Sequence, residues 1–442
     1  MTAMWTGAIA LLAAAVPGLV WAQDDTAGIT GITKSAARLT VPPDSSQDLV
    51  LRYGLGFPFQ VAPDKVAVSV NLRVEHAHTY DYEYGSDIVV FDALETIDGA
   101  TAVPVSRNET FTDPATGEGR LAIKYPVIGG FVPLGARRPD GSPHPHAGTG
   151  FGICQSLTFP TDAEGLFSWK SKFVHETELH QLAYDGERFT GVETPLPAGI
   201  THPRVADSGW VITAPGIVHA IPDGDDLIWA CAASGPGGSV SAVVRFSRDS
   251  GQWLPVAVYP VTPAAKGWAE PSLVRDVDGS WLFCARGTTE GTEFGIRVWR
   301  SADQGATWSV VVDAPETIQE APVSINSAAD GTPFVSACLR NHGREILCLW
   351  PLNASRDGLM TPLIVRPARA DFGPPPAGAG GWMVDHPSAV VARLADGQWH
   401  SLLAYRILQS AEFSKADPAP QSGCYVEEVF SSGPVRPTWK FE

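Results

Sequence analysis

Three arginines close three similar stretches of this sequence: Arg286 in "EPSLVRDVDGSWLFCARG", Arg340 in "APVSINSAADGTPFVSACLRN" and Arg406 in "HPSAVVARLADGQWHSLLAYRI". A planar guanidinium binds a carboxylate through two parallel, charge-assisted hydrogen bonds. Arginines at one end of equivalent strands would therefore converge on an anionic ligand. The third stretch is entered through Asp385-His386. Imidazole titrates near neutral pH and a neighbouring carboxylate raises its proton affinity, which makes this pair a candidate general acid or base. His144 and His146 stand two apart in the Gly/Pro-rich "RRPDGSPHPHAGTG" and can point the same way onto a substrate. Two histidines do not by themselves make a metal site, and neither a metal nor a cofactor is expected. His76, His78, Tyr80, Tyr82 and Tyr84 alternate and would share one face of an extended strand. A cross-strand ladder accounts for that stripe without a ligand.

The elements that must hold these residues are announced by a repeat. Four segments share a Pro, a hydrophobic run, an Asp-Gly turn and a second apolar run, with prolines at 215, 271, 322 and 387, a period of about 50 to 65 residues. Each unit reads as strand, tight turn, strand and further strands, the content of one four-stranded propeller blade. "SADQGATWS" at 301–309 falls within this rhythm, with "FSRDSGQW" 54 residues before it and "ASRDG" 54 residues after. Its Asp and Ser oxygens suit turn amides and its Gly an unusual backbone angle, so it reads as a turn and not as a site. Before about residue 200 the repeat blurs, although the runs remain strand-like. The expected fold is all-β, a six-bladed β-propeller of four-stranded antiparallel blades over residues 101–442. Residues 23–100 read either as a further blade or as a small β-sandwich.

"SADQGATWS" matches the Asp-box pattern Ser-x-Asp-x-Gly-x-Thr-Trp, and on it the chain resembles the sialidase superfamily of Asp-box (BNR-repeat) propellers. The resemblance implies that the boxes fasten outer hairpins far from the active site. A second matching segment, "AEPSLVRDVDGSWLFCARG", supplies Glu270, Pro271, Asp278, Gly279 and Arg286, with Glu and Arg sixteen residues apart. In the family this Glu supports a tyrosine nucleophile and this Arg is one of three that grip the substrate carboxylate. Arg340 and Arg406 are the corresponding candidates in the next units. The family's first arginine lies in an Arg-Ile-Pro segment that this chain lacks. By location "GFVPLGARRPDGSPHPHAGTGFG" is nearest, which makes Arg138 and His146 candidate substrate contacts and Asp140 a candidate acid. Where the family carries its tyrosine, this chain reads "GGWMVDHPSAVV", with Trp382, Asp385 and His386 in its place. Glu270, Asp385 and His386 are thus the candidate catalytic residues.

Composition limits the alternatives. The chain has 442 residues, 44% hydrophobic and 18% charged, enough to bury a large core. A formal charge of −17 disfavours nucleic acid and anionic membranes as partners. The six cysteines mostly sit in apolar runs and read as small core residues, with Cys338 and Cys348 the pair to test as a disulfide. Residues 1–22 read as a secretory signal peptide cleaved after Ala22, and no later run is long enough for a membrane span. The expectation is a secreted or periplasmic, exo-acting, sialidase-like glycosidase whose glycan carries a carboxylate. A propeller polysaccharide lyase and a non-catalytic glycan-binding propeller remain open beside it.

Overall fold

The computed structural model describes residues 28–33, 36–41, 51–74, 83–114, 116–123, 126–160, 173–191, 195–196, 205, 208–264, 268–287, 296–314, 317–319, 321–375, 381–409 and 421–441. Residues 1–22, expected above to be a signal peptide, the stripe positions His76, His78, Tyr80 and Tyr82, and residues 23–27 lie outside them. Tyr84 belongs to the strand Glu83–Phe91.

The protein is a six-bladed β-propeller, nearly all β, in which six antiparallel sheets built on four strands surround an axis. Blade 1 spans residues 51–107, blade 2 residues 109–196, blade 3 residues 211–260, blade 4 residues 268–313 and blade 5 residues 324–367. Blade 6 combines Trp382–Arg393, Trp399–Gln409 and Gly423–Ser431 with two short strands from the other end of the chain, Ile29–Ile32 and Ala37–Leu39. The innermost strands contact one another in sequence from blade 3 to blade 6. Trp382–Arg393 of blade 6 packs on Leu51–Ala62 of blade 1, closing the ring.

Strand periodicity explains why the blades stack. In Trp281–Gly287 successive side chains leave opposite faces of the sheet. Trp281, Phe283 and Ala285 enter a cluster shared with blade 3, while Leu282 and Cys284 enter one shared with blade 5. Six such clusters occupy the six junctions between neighbouring blades, so a second strand is apolar where it is buried on both faces, as in "WLFCA" at 281–285. Polar side chains stitch the inner strands together. Ile325 N–H donates to Ser272 Oγ at 2.8 Å, Ala389 N–H to Asn326 Oδ1 at 2.8 Å, and Arg393 N–H to Gln60 Oε1 at 2.8 Å across the closing junction.

The turn at 301–309 joins the two outer strands of blade 4, Ile296–Ser301 and Ser309–Asp313. Asp303 Oδ1 accepts from Ser301 Oγ and Thr307 N–H, each at 2.8 Å, while Gly305 N–H donates to Ser301 Oγ. Gly305 has φ +90° and lies against the Trp281 ring, a place no Cβ would fit. All six cysteines are free and buried. Cys338 pairs with Leu347, and Cys348 with Ala337, so the two thiols leave opposite faces of the sheet. That geometry corrects the disulfide expectation.

Candidate functional site

The inner strands of blades 4 and 6 break at their prolines. Proline has no amide proton for the ladder, so the strand bulges there. In blade 4 the pairing jumps from Ala269–Arg286 to Ser272–Cys284, and in blade 6 from Asp385–Arg406 to Ser388–Ala404. Glu270 and His386 are the bulged residues, with φ of +52° and +53°. Neither is glycine and both precede proline, which itself disfavours helical backbone geometry. Two equivalent positions thus hold a strain that an ordinary strand would not retain.

Blades 4 and 6 are not neighbours, yet the two bulged side chains meet. His386 Nε2 stands 3.8 Å from Glu270 Oε1, and Glu270 Oε2 accepts from Arg286 Nη1 at 2.9 Å. The other imidazole nitrogen, Nδ1, lies 2.9 Å from Asp385 Oδ1. Asp385 is fully buried and is held from two further sides. Arg406 Nε and Nη2 reach its two oxygens at 2.8 and 3.0 Å, and Arg344 Nη1 donates at 2.7 Å. Burial alone would raise the Asp385 carboxyl, but Arg406 and His386 overcome it and hold the group well below the usual carboxylate range. Arg286 Nε is buried and has no partner among the described residues. Three guanidinium groups against two carboxylates leave the cluster cationic in an acidic protein, and its exposed members are Arg286, Arg344, Glu270 and His386, each partly open to solvent.

Glu270, Arg286, Asp385, His386 and Arg406 therefore lie together. Arg340 does not occupy the matching place in blade 5. Counting from the Ser324–Ser336 pair, the position equivalent to Arg286 and Arg406 is Cys338, whose thiol donates to Val384 O at 3.0 Å. Arg340 follows in the turn after that strand, where its N–H donates to Thr317 O. Arg344, four residues on, is the blade 5 arginine that reaches Asp385. It lies in "NHGREI", a stretch with no repeat signature, and only its charge and nearness to the strand end could have drawn notice.

Arg138 and His146 stand elsewhere. Arg138 makes a two-pronged pair with Asp225 at 2.5 and 2.7 Å. His146 lies edge-on to Trp253, and Asp140 is bonded by Ser142 within its own turn. Asp225 belongs to the turn after the inner strand Ile221–Asp223, and the neighbouring Asp223 is bonded by Arg275, the last residue of Trp268–Arg275. Glu270 is near the first residue of that strand. The Arg138–His146 group thus sits at the opposite end of the blades from the cluster. A cavity of about 280 Å³ also lies at this far end, lined by His219, Arg275, Asp276 and Arg436 among others.

No family model matches the chain, and comparison with curated proteins finds no match either. Among solved structures it is similar to a protein of unknown function from Dyadobacter fermentans, with a TM-score of 0.51, 13% identity, and coverage of 92% of this chain and 100% of that one. Trypanosoma rangeli sialidase aligns with a TM-score of 0.50 and 12% identity over 93% of this chain. The same enzyme in complex with the inhibitor DANA aligns with a TM-score of 0.50 at 11% identity. This chain spans 60% of the length of the trypanosomal sialidase. The likeness is one of fold: the chain is a sialidase-like propeller.

Proposed function

We propose that the protein is a glycoside hydrolase acting on a glycan that carries a carboxylate, of the sialic or uronic acid kind. The observation that carries this reading is the meeting of two strained residues, Glu270 and His386, from non-adjacent blades beside Arg286 and Arg344. In this mechanism Arg286 and Arg344 bind the substrate carboxylate by charge-assisted hydrogen bonds. Asp385 fixes the imidazole of His386, leaving Nε2 to give a proton to the departing oxygen, and Arg406 keeps Asp385 ionised from behind. Glu270 takes the proton of the attacking water or orients it. The proposal includes export: cleavage after Ala22 would leave a mature chain beginning at Gln23, which sequencing of its N-terminus checks.

One observation favours a second reaction on the same groups. Among the described residues no tyrosine hydroxyl bonds to Glu270, Arg286 or His386, so none of these tyrosines is paired with the cluster as a tyrosine nucleophile would be. A histidine backed by a carboxylate, next to arginines that neutralise a uronate, would equally suit removal of the carbon-bound proton beside that carboxylate. Such a lyase leaves an unsaturated sugar.

Assays on aryl sialosides, aryl uronides and uronate polysaccharides separate the two. Hydrolysis predicts release of the aryl group and no ultraviolet-absorbing sugar, elimination predicts the absorbing product, and a binding module gives saturable binding with neither. Arg286→Ala should raise KM at least tenfold, and His386→Ala should lower kcat by about 10²-fold or more, the usual range for a proton-transfer group. Retention of full activity in both variants would remove the cluster from consideration.

A further inference from the structure

A second group of reactive side chains lies in blade 2, outside the cluster described above. Cys154, Glu178 and His180 are all buried, and their potential ligand atoms lie within 4.8 Å of one another. Among the described residues this is the only group of three or more such side chains that converges so closely. Register explains the convergence. Cys154 pairs directly with Glu178 across the antiparallel strands Thr149–Pro160 and Phe173–Tyr184, and His180 follows two residues after Glu178. Directly opposed residues, and residues two apart, share one face of a sheet, so all three side chains leave the same face. His180 Nε2 and Glu178 Oε2 are 3.3 Å apart.

We propose that Cys154, Glu178 and His180 bind a divalent transition-metal ion, zinc being the best match. A thiolate sulfur, an imidazole nitrogen and a carboxylate oxygen form a mixed donor set of borderline softness, which suits zinc and excludes magnesium or calcium, ions that take oxygen ligands. Binding replaces the Cys154 S–H proton by an S–Zn bond and releases that proton to solvent. Thiolate and carboxylate together then cancel the two positive charges of the ion, so the filled site is neutral and can stay below the surface. Three protein ligands leave one tetrahedral position for water or a further group. The site is at the end of blade 2 where its inner strand, Val127–Val132, begins: Ile153, one residue before Cys154, pairs with Val127. Blade 4 carries Glu270 at the corresponding end. The proposal does not depend on the function assigned to that cluster.

The test uses the full chain stripped of metal and titrated with Co²⁺ and Zn²⁺. One ion per chain is expected, with a thiolate-to-cobalt charge-transfer band in the near ultraviolet that Zn²⁺ displaces. Cys154→Ser should abolish the band and His180→Ala should weaken binding at least tenfold, while Cys231→Ser, a buried thiol in blade 3, should leave both intact. Should the blade 2 variants fail to fold, zinc K-edge absorption of the unaltered protein decides. One sulfur at about 2.3 Å among nitrogen and oxygen ligands supports the site. A shell of nitrogen and oxygen alone, or less than a tenth of an ion per chain, overturns it.

Discussion

Glu270 and His386 share a backbone conformation that L-residues with side chains seldom adopt, and this yields a stability order opposite to the usual one. Alanine ordinarily outperforms glycine within regular structure, but at φ near +50° the Cβ costs roughly 1–2 kcal/mol that glycine avoids. Glu270→Gly should therefore be more stable than Glu270→Ala by about 1 kcal/mol, and His386→Gly more stable than His386→Ala by a similar amount. Each pair removes the same functional atoms, so denaturant unfolding isolates the backbone effect. An Ala variant more stable than its Gly partner would show that these residues are not strained. The strain itself was not legible in the sequence, where Glu-Pro and His-Pro marked only repeat starts. The candidate residues were, because both open a repeat unit and Arg286 and Arg406 lie at matching places in the strand beside them. Arg344 stayed hidden because it belongs to a turn between strands, and Arg138 and His146 were chosen by location in a stretch that folds toward the other end of the blades.

At the scale of elements the turn at 301–309 and the bulges have separate duties. Asp303 binds three hydrogen-bond donors of its own turn, Ser301 Oγ, Thr307 N–H and Thr307 Oγ1, and those contacts hold its carboxyl down to about 2. Asp303→Ala should lower stability through the loss of these turn hydrogen bonds, while leaving kcat/KM unchanged. A parallel loss of activity in thermal and kinetic assays would mean that the turn communicates with the cluster. The Asp-Gly repeats were readable because each places a glycine where the backbone needs positive φ, at Gly279, Gly331 and Gly397. Blade 2 was not: its sheet carries an extra hairpin, Glu109–Thr112 with Gly119–Ile123, which breaks the repeat length.

For the whole molecule, acid sensitivity follows from a histidine that lines the far-end cavity. Burial pushes His219 down from 6.5 to about 4, and its Nδ1 has no partner among the described residues. Its folded pKa is depressed, so the unfolded chain binds the extra proton between those values. The contribution to stability is complete above pH 6.5 and drains away as pH falls toward about 4. His144 and His146, lowered chiefly by burial, act in the same sense. His400, raised chiefly by its hydrogen bond to Glu428, acts in the opposite one: its contribution is present at low pH and is lost as pH rises through its folded value. His219→Gln should remove about 2 kcal/mol of acid-induced loss, seen as a flatter fall of Tm with decreasing pH. Parallel curves for the two proteins would assign the acid limb to other groups.

Blade 6 borrows its outer strand from residues 29–39, which pair with Gly423–Ser431 across nearly the whole chain. Without that segment Gly423–Ser431 becomes an open sheet edge, and an open edge recruits strands from other molecules. A chain lacking residues 28–41 should therefore self-associate by strand exchange, visible in light scattering. A synthetic peptide of residues 28–41 added in trans should reverse that association, the short segment acting as a detachable clasp that can be supplied from outside.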